Sequence, residues 1–294
     1  MGLNIANFEK KEQMVFSGHD TFHCRLFWLK KGIDYVNSGN QFKMDSGVEL
    51  GVGKNMVNSM KFWLKSFDVF DENAELKQPF EQVFLDGGWD PYLENEGTLY
   101  LLHYKLCSRN HSSIYNLIFS NFRKIKPEFT QKNLVDYVRG LDPKQNEKLI
   151  AKDFSVFKRM YGQSSDNSID DGYSGLFTEL GLLKDFKIKD KEKNIKTLYR
   201  VYNSNQVSVP EAIILYCILI NPNYSSTISF SSFYTDEFGV GNIFCLDKDI
   251  LEDKVKNISD KYDAVTYSSE AGIKELQIKN ELNPVSVLEE YYGI

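Results

Sequence analysis

At 294 residues, 42% hydrophobic and 26% charged, the chain carries enough apolar side chains for several compact cores and needs no disulfide staples. Its N-terminal MGLNIANFEKKEQ lacks the apolar centre of a secretory signal, and its longest apolar run, AIILYCILI over residues 212–220, is too short to span a bilayer. These features speak against a membrane protein or membrane partner and lead to the expectation of a cytoplasmic location.

The formal net charge of -6 argues against a nucleic-acid binder only until it is divided along the chain. Residues 1–65 carry +3, 66–104 carry -8, 105–165 carry +7, 166–203 are neutral and 204–294 carry -8. Basic segments can grip phosphates while acidic ones face a partner protein, so the division permits double-stranded DNA as a partner without demonstrating it. Cys24, Cys107, Cys217 and Cys245 have no CxxC spacing, which favours reduced thiols over disulfides or a zinc cluster.

The first stretch with chemical content is GHDTFHCR, residues 18–25, which holds two of the four histidines. Asp20 and Thr21 are capping-type residues, so a helix is expected over residues 21–32 with Gly32 as its stop. His19 then precedes the helix and only His23 lies on it. That weakens an i,i+4 metal pair, and no third zinc ligand is apparent in the sequence.

Two readings of this stretch stay open. In the catalytic one, His19 is a general base or phosphate ligand, Asp20 orients it or holds magnesium, and Arg25 clamps a phosphate, with Lys30 and Lys31 adding positive field. In the structural one, Asp20 caps a helix, His19 stacks against a neighbouring domain and Arg25 pairs with a carboxylate.

Residues 46–70 read as a helix-turn-helix. A short helix ends near Leu50, a tight turn runs through Gly51, Val52 and Gly53, and a second helix buries Met56, Val57, Met60, Phe62, Trp63, Leu64 and Phe67. Its outward side carries Lys54, Asn55, Asn58, Ser59, Lys61 and Lys65, residue types that contact phosphates or base edges. Such units also serve purely for packing or protein contact. Residues 68–84 are expected to form the strands of a wing. The GVGKN turn is no Walker A loop, because Val48 replaces its first glycine and Asn55 its magnesium-binding hydroxyl.

Residues 86–107 begin with a turn and continue into a helix marked by Leu99, Leu102, Tyr104 and Leu106, where His103 reads as a hydrogen-bonded core residue. A second unit, residues 129–203, shows helices over 131–141 and 147–162, a polar loop and a strand-like end, again helices followed by a wing. Asp166, Asp170 and Asp171 in that loop lack the glycine position and closing Glu of an EF-hand. The last unit opens with the buried helix, continues with a helix over 247–262, and closes with a hairpin around Ala271 and Gly272. Its acidity suits contact with protein rather than DNA.

The expected architecture is α+β, mainly helical, with tandem winged-helix-like domains. The divisions are residues 1–126 (a helix-turn-helix, winged-helix-like DNA-binding domain), 127–205 (middle winged-helix-like) and 206–294 (acidic α+β).

Four motifs carry a family resemblance: FSGHDTFHCRLFWLKKG (16–32), ELGVGKNMVNSMKFWL (49–64), WDPYLENEGTLYLLHYKL (89–106) and VLEEYY (287–292). Together they resemble a bacterial family catalogued as domain of unknown function 4007, whose members sit in gene clusters for DNA phosphorothioation, the replacement of a non-bridging phosphate oxygen by sulfur. The resemblance implies a DNA-nicking component of a phage-defence system, working beside a cysteine desulfurase, an ATP-pyrophosphatase-type enzyme and an ATPase. A divalent ion, magnesium or manganese, is the assistant expected for phosphodiester cleavage, and no organic cofactor is expected. No PD-(D/E)xK, HNH or GIY-YIG pattern occurs, so nicking is implied by the resemblance alone. The rival expectation is a non-catalytic DNA-binding adaptor that presents target sites to the sulfur-transfer enzymes.

Overall fold

The computed structural model describes residues 14–43, 45–162, 175–189, 194–201, 203, 208–279 and 282–293. The polar loop with Asp166, Asp170 and Asp171 lies outside them. Helix α1 (Leu26–Asn37) is followed by α2 (Ser46–Leu50), α3 (Lys54–Ser66), α4 (Phe80–Phe84) and α5 (Glu96–Arg109). Gly51 ends α2 in the left-handed region at φ 61°, and Gly53 caps α3. The expected helix-turn-helix is therefore present, with Val57, Met60, Trp63 and Leu64 turned into the core.

Two local expectations fail for identifiable reasons. Residues 21–32 are not one helix: Asp20 adopts φ 50° instead of capping, α1 starts only at Leu26, and Gly32 lies inside it. Gly32 marks a close approach rather than a stop, because a Cβ there would meet Leu64 Cδ1 at 2.6 Å. Residues 68–84 form a single bridge, Phe70 with Leu76, and then α4, not a pair of wing strands.

Further along, α6 (Ser113–Asn116), a π-helical stretch (Leu117–Phe122) and α7 (Arg123–Ile125) form one continuous helical segment. Strand β1 (Glu128–Phe129), α8 (Gln131–Leu141), α9 (Glu147–Tyr161), β2 (Lys184–Lys189) and β3 (Ile195–Arg200) follow. Thr130 and Asn133 cap α8 reciprocally, and the Asn146 side chain accepts from Lys148 N at 2.8 Å to start α9. The strands pair antiparallel in the order β1-β3-β2.

The last third follows a similar order, with three helices instead of two between its first strand and its hairpin. Helix α10 (Glu211–Leu219) leads to β4 (Thr227–Ser229), α11 (Phe230–Thr235), α12 (Val240–Ile243), α13 (Lys248–Lys261), β5 (Val265–Glu270) and β6 (Ile273–Ile278). The sheet order is β4-β6-β5, matching the first sheet strand for strand. The expected hairpin turn is made by Ala271 and Gly272, both at positive φ, a conformation that matches strand twist. Helix α14 (Pro284–Tyr292) closes the chain. The architecture is thus α+β, dominated by helices, with two small antiparallel sheets.

One apolar core links all three stretches. At its centre lies α5, buried at Gly97 to Tyr104, Leu106 and Cys107, as a helix enclosed on all sides must be. His103 is fully buried there. Its Nε2 donates to Ile243 O at 2.8 Å, and Nδ1 accepts from the Tyr161 hydroxyl at 2.7 Å, so one ring ties α5 to α9 and α12. Burial pushes its pKa down to about 4 against the raising effect of the Ile243 carbonyl.

All four cysteines are free and buried. Among the described residues no helix is long and apolar enough to cross a membrane. The motifs at opposite ends of the sequence meet in space: Tyr291 donates to Asn95 Oδ1 at 2.6 Å, Tyr292 bonds Thr98 at 2.7 Å, and Trp89 stacks on Tyr292. Helix α14 therefore seals the start of α5.

Candidate nucleic-acid interface

Helix α3 buries one side and exposes the other. Lys54, Asn55, Asn58 and Lys61 are all exposed and, at spacings of three and four, share one face. Among the described residues, neither Lys54 nor Lys61 forms an ion pair. The other basic residues nominated from sequence are engaged. Lys65 pairs with Glu72 at 2.9 Å, Lys31 donates to Leu50 O at 2.8 Å, and Lys30, only 8% exposed, bridges Asp34 and Asp86 at 2.5 and 2.7 Å. Ser59 is buried and donates to His19 O at 2.8 Å.

The residues of GHDTFHCR are threaded between α3 and α9. His19 is fully buried, stacked on Trp63 with ring centres 5.2 Å apart and edge-on to Phe62 at 5.4 Å. Its Nε2 lies 3.4 Å from Asp153 Oδ1, an ionic distance without a formed hydrogen bond. Both Asp153 oxygens accept from Ser17 N at 3.0 Å. Gly18 is required by this packing, because a Cβ there would sit 2.1 Å from the Phe62 ring.

Asp20 stands half-buried at the corner with a left-handed backbone. Arg25 is half-buried beside it in sequence order, with its guanidinium 5.6 Å over the Trp28 ring and its backbone bridged to Gly175. Arg159 from α9 reaches across to Thr21 O. His19 thus meets a neighbouring helix rather than solvent, and no substrate atom reaches its ring in this conformation.

Sequence reasoning had not nominated the β2–β3 hairpin as a basic surface. Lys184, Lys187, Lys189 and Lys196 are all exposed on it. The lysines of KDFKIK, Lys187 and Lys189 two residues apart, were readable in the sequence, but a zero net charge over residues 166–203 concealed them. Arg200 on β3 is turned to Glu128.

Magnesium or manganese needs oxygen ligands from more than one side chain unless substrate phosphates supply the rest. Among the described residues no group of three or more His, Cys, Asp or Glu side chains could hold a metal ion. Asp20, His19 and His23 do not converge into such a group. Among the described residues, the side chains nominated from sequence therefore do not by themselves make a site for a protein-held divalent ion.

These features define an α+β protein built round a buried central helix, with basic surfaces on α3 and on the β2–β3 hairpin. The chain belongs to the DUF4007 family of proteins of unknown function, whose profile matches residues 16–292. No protein of curated function matches it. Two solved structures are similar in fold. A magnesium ion-bound SspB crystal structure has a TM-score of 0.79 at 24% identity, with 95% of this chain and 88% of that one covered. An SspB crystal structure without that description has a TM-score of 0.78 at the same identity and coverage.

Proposed function

We propose that this chain is a DNA-binding component of a bacterial DNA phosphorothioate modification and phage-defence system, with strand nicking as its activity. One observation carries the DNA reading: the second helix of a helix-turn-helix presents Lys54, Asn55, Asn58 and Lys61 on one exposed face. The lysine hairpin β2–β3 supports it. Helix, strand, two helices and hairpin is the order of a winged-helix domain, in which the hairpin lies against the phosphate backbone; on this reading the middle unit is winged-helix-like. The system assignment rests on family membership and on the SspB-like fold. It brings a cysteine desulfurase, an ATP-pyrophosphatase-type enzyme and an ATPase as partners, with the acidic last third as their contact surface.

For nicking, the half-buried Asp20 and Arg25 are the nominated residues, with His19 as the group that holds this segment against α3. The burial of His19 specifically favours a second reading, a non-catalytic adaptor that presents sites to the sulfur-transfer enzymes. Conversion of supercoiled plasmid to open circles by the purified chain with magnesium, manganese or EDTA separates the two. Metal-dependent nicking that disappears in Asp20→Ala supports the nuclease. DNA binding without wild-type nicking establishes the adaptor.

A further inference from the structure

A pocket of about 340 Å³ opens between the middle and last thirds, lined by Arg123, Lys124, Asn203, Tyr234, Thr235 and Asn242. Arg123 follows directly on the π-helical stretch and is 7% exposed. Its Nε donates to Phe119 O at 2.8 Å, Nη1 to Asn203 Oδ1 at 2.5 Å, and Nη2 to Asn242 O and Oδ1 at 2.9 and 3.2 Å. Every acceptor is neutral. Among the described residues Arg123 has no carboxylate partner, and the residues flanking Asn203, Tyr202 and 204–207, include no Asp or Glu.

The molecule's other deeply buried cations are treated differently. Lys30 is paired with Asp34 and Asp86, and Lys254 lies 3.6 Å from Glu211. A guanidinium taken out of water without a counter-charge costs several kcal/mol, which neutral dipoles offset only in part. The dipoles round Arg123 are moreover fixed. Asn242 Nδ2 donates to Ser120 O, Thr235 O and Asp236 O, so its Oδ1 is held toward the guanidinium. At the rim, Lys124 donates to Thr235 O at 3.1 Å. Burial and then Arg123 lower the pKa of Lys124, while the Asp236 carboxylate opposes them. The pocket therefore joins two cations, one carboxylate at the rim and none at Arg123.

We propose that this pocket is a binding site for a phosphate group, with Arg123 as its receptor and Lys124 at its rim. The planar fork of arginine suits the oxygens of a phosphate, and the site is separate from α3. The phosphate comes from a DNA strand or from a free nucleotide.

Calorimetry on the full chain at constant ionic strength, with inorganic phosphate, deoxyadenosine monophosphate and a short DNA duplex as probes, tests this. Wild type is expected to bind at least one probe saturably. Arg123→Lys and Lys124→Ala should weaken that binding, the former about tenfold. Asn203→Asp is the decisive variant: a carboxylate beside Nη1 supplies the missing counter-charge, so the melting temperature rises while phosphate binding is lost. That variant decides the matter even where Arg123→Lys fails to fold. Saturable binding of the monophosphate assigns the site to a nucleotide, and variant-sensitive binding of the duplex alone assigns it to a strand. Probe binding that is equal in wild type, Lys124→Ala and Asn203→Asp, or absent in wild type, overturns the proposal. Lys54→Ala serves as a control: it is expected to weaken the duplex and leave phosphate binding intact, so failure of the α3 reading is distinguishable from failure of this one.

Discussion

The two sheet-bearing units share the strand order of their sheets and differ in what charge does in them. In the middle unit the hairpin exposes Lys184, Lys187, Lys189 and Lys196, within easy reach of a phosphate backbone. In the last unit the hairpin carries Glu270 and Glu275, and its Lys274 is paired with Glu252 at 2.5 Å. The contrast extends to the long helix that precedes the hairpin in each, α9 and α13. The seventh residue of α9 is Asp153 and the seventh of α13 is Lys254, both buried. Asp153 receives the backbone of Ser17, and Lys254 donates to Val209 O at 2.7 Å. A similar scaffold thus uses opposite buried charges to hold a passing segment, while hairpin charge is basic in the middle unit and largely acidic in the last.

The largest expected effect breaks the first of these clamps. Asp153→Ala removes the acceptor of Ser17 N and the charge facing His19, and should lower unfolding free energy by about 3–5 kcal/mol in urea titration. Lys254→Ala leaves the Val209 carbonyl unsatisfied and the more exposed Glu211 carboxylate without its cation, and should cost less, about 1–3 kcal/mol. Equal losses would show that the two clamps are energetically alike and that the difference in charge is incidental.

A second test addresses what joins the units. His103 bridges Tyr161 of the middle unit and Ile243 of the last, and its folded-state pKa of about 4 lies below the ordinary value of 6.5. The unfolded chain therefore binds the proton first. Stability contributed by the neutral ring is full above about pH 6.5 and falls by about 1.4 kcal/mol per unit as pH drops toward 4. His103→Gln should be less stable at pH 7 yet lose less between pH 6.5 and 4; a slope equal to wild type would remove His103 as the source.

What the sequence disclosed follows the range of the interactions involved. Helices α3, α5 and α10 and the hairpin at Ala271 and Gly272 were legible because their signals are local: apolar spacing, glycine turns and an unbroken apolar run. So was the outward row from Lys54 to Lys61. The path of residues 17–25 was not, since the left-handed turns at Ser17 and Asp20 serve a contact with Asp153, more than 130 residues on. Lys30 looked available for phosphate because only one of its partners, Asp34, is local; the other, Asp86, lies 56 residues away. Arg123 gave no signal at all, because a missing counter-charge is visible only once its neighbours are placed.

Smaller effects are expected at the surface. Replacing Lys187 and Lys189 together should weaken duplex binding and reduce the salt dependence, d log K/d log [salt], by about two. Lys274→Ala, on the corresponding hairpin, should leave it unchanged. Loss in both variants would erase the functional distinction between the units and return the last third to the candidate DNA surface.

The smallest of these effects concerns α3. Lys54→Ala and Lys61→Ala each remove one exposed ammonium and should each reduce the salt slope by about one, with no change in melting temperature. Asn55→Ala and Asn58→Ala carry no charge change, so they should leave the slope alone and alter preference among duplex sequences if α3 lies in the major groove. Fluorescence anisotropy over a series of salt concentrations measures both quantities at once. A slope that falls with Lys187 and Lys189 but not with Lys54 or Lys61 would make the middle hairpin the sole electrostatic contact. Helix α3 would then be a packing unit whose inner face, Trp63 and Phe62 against His19, is its whole purpose.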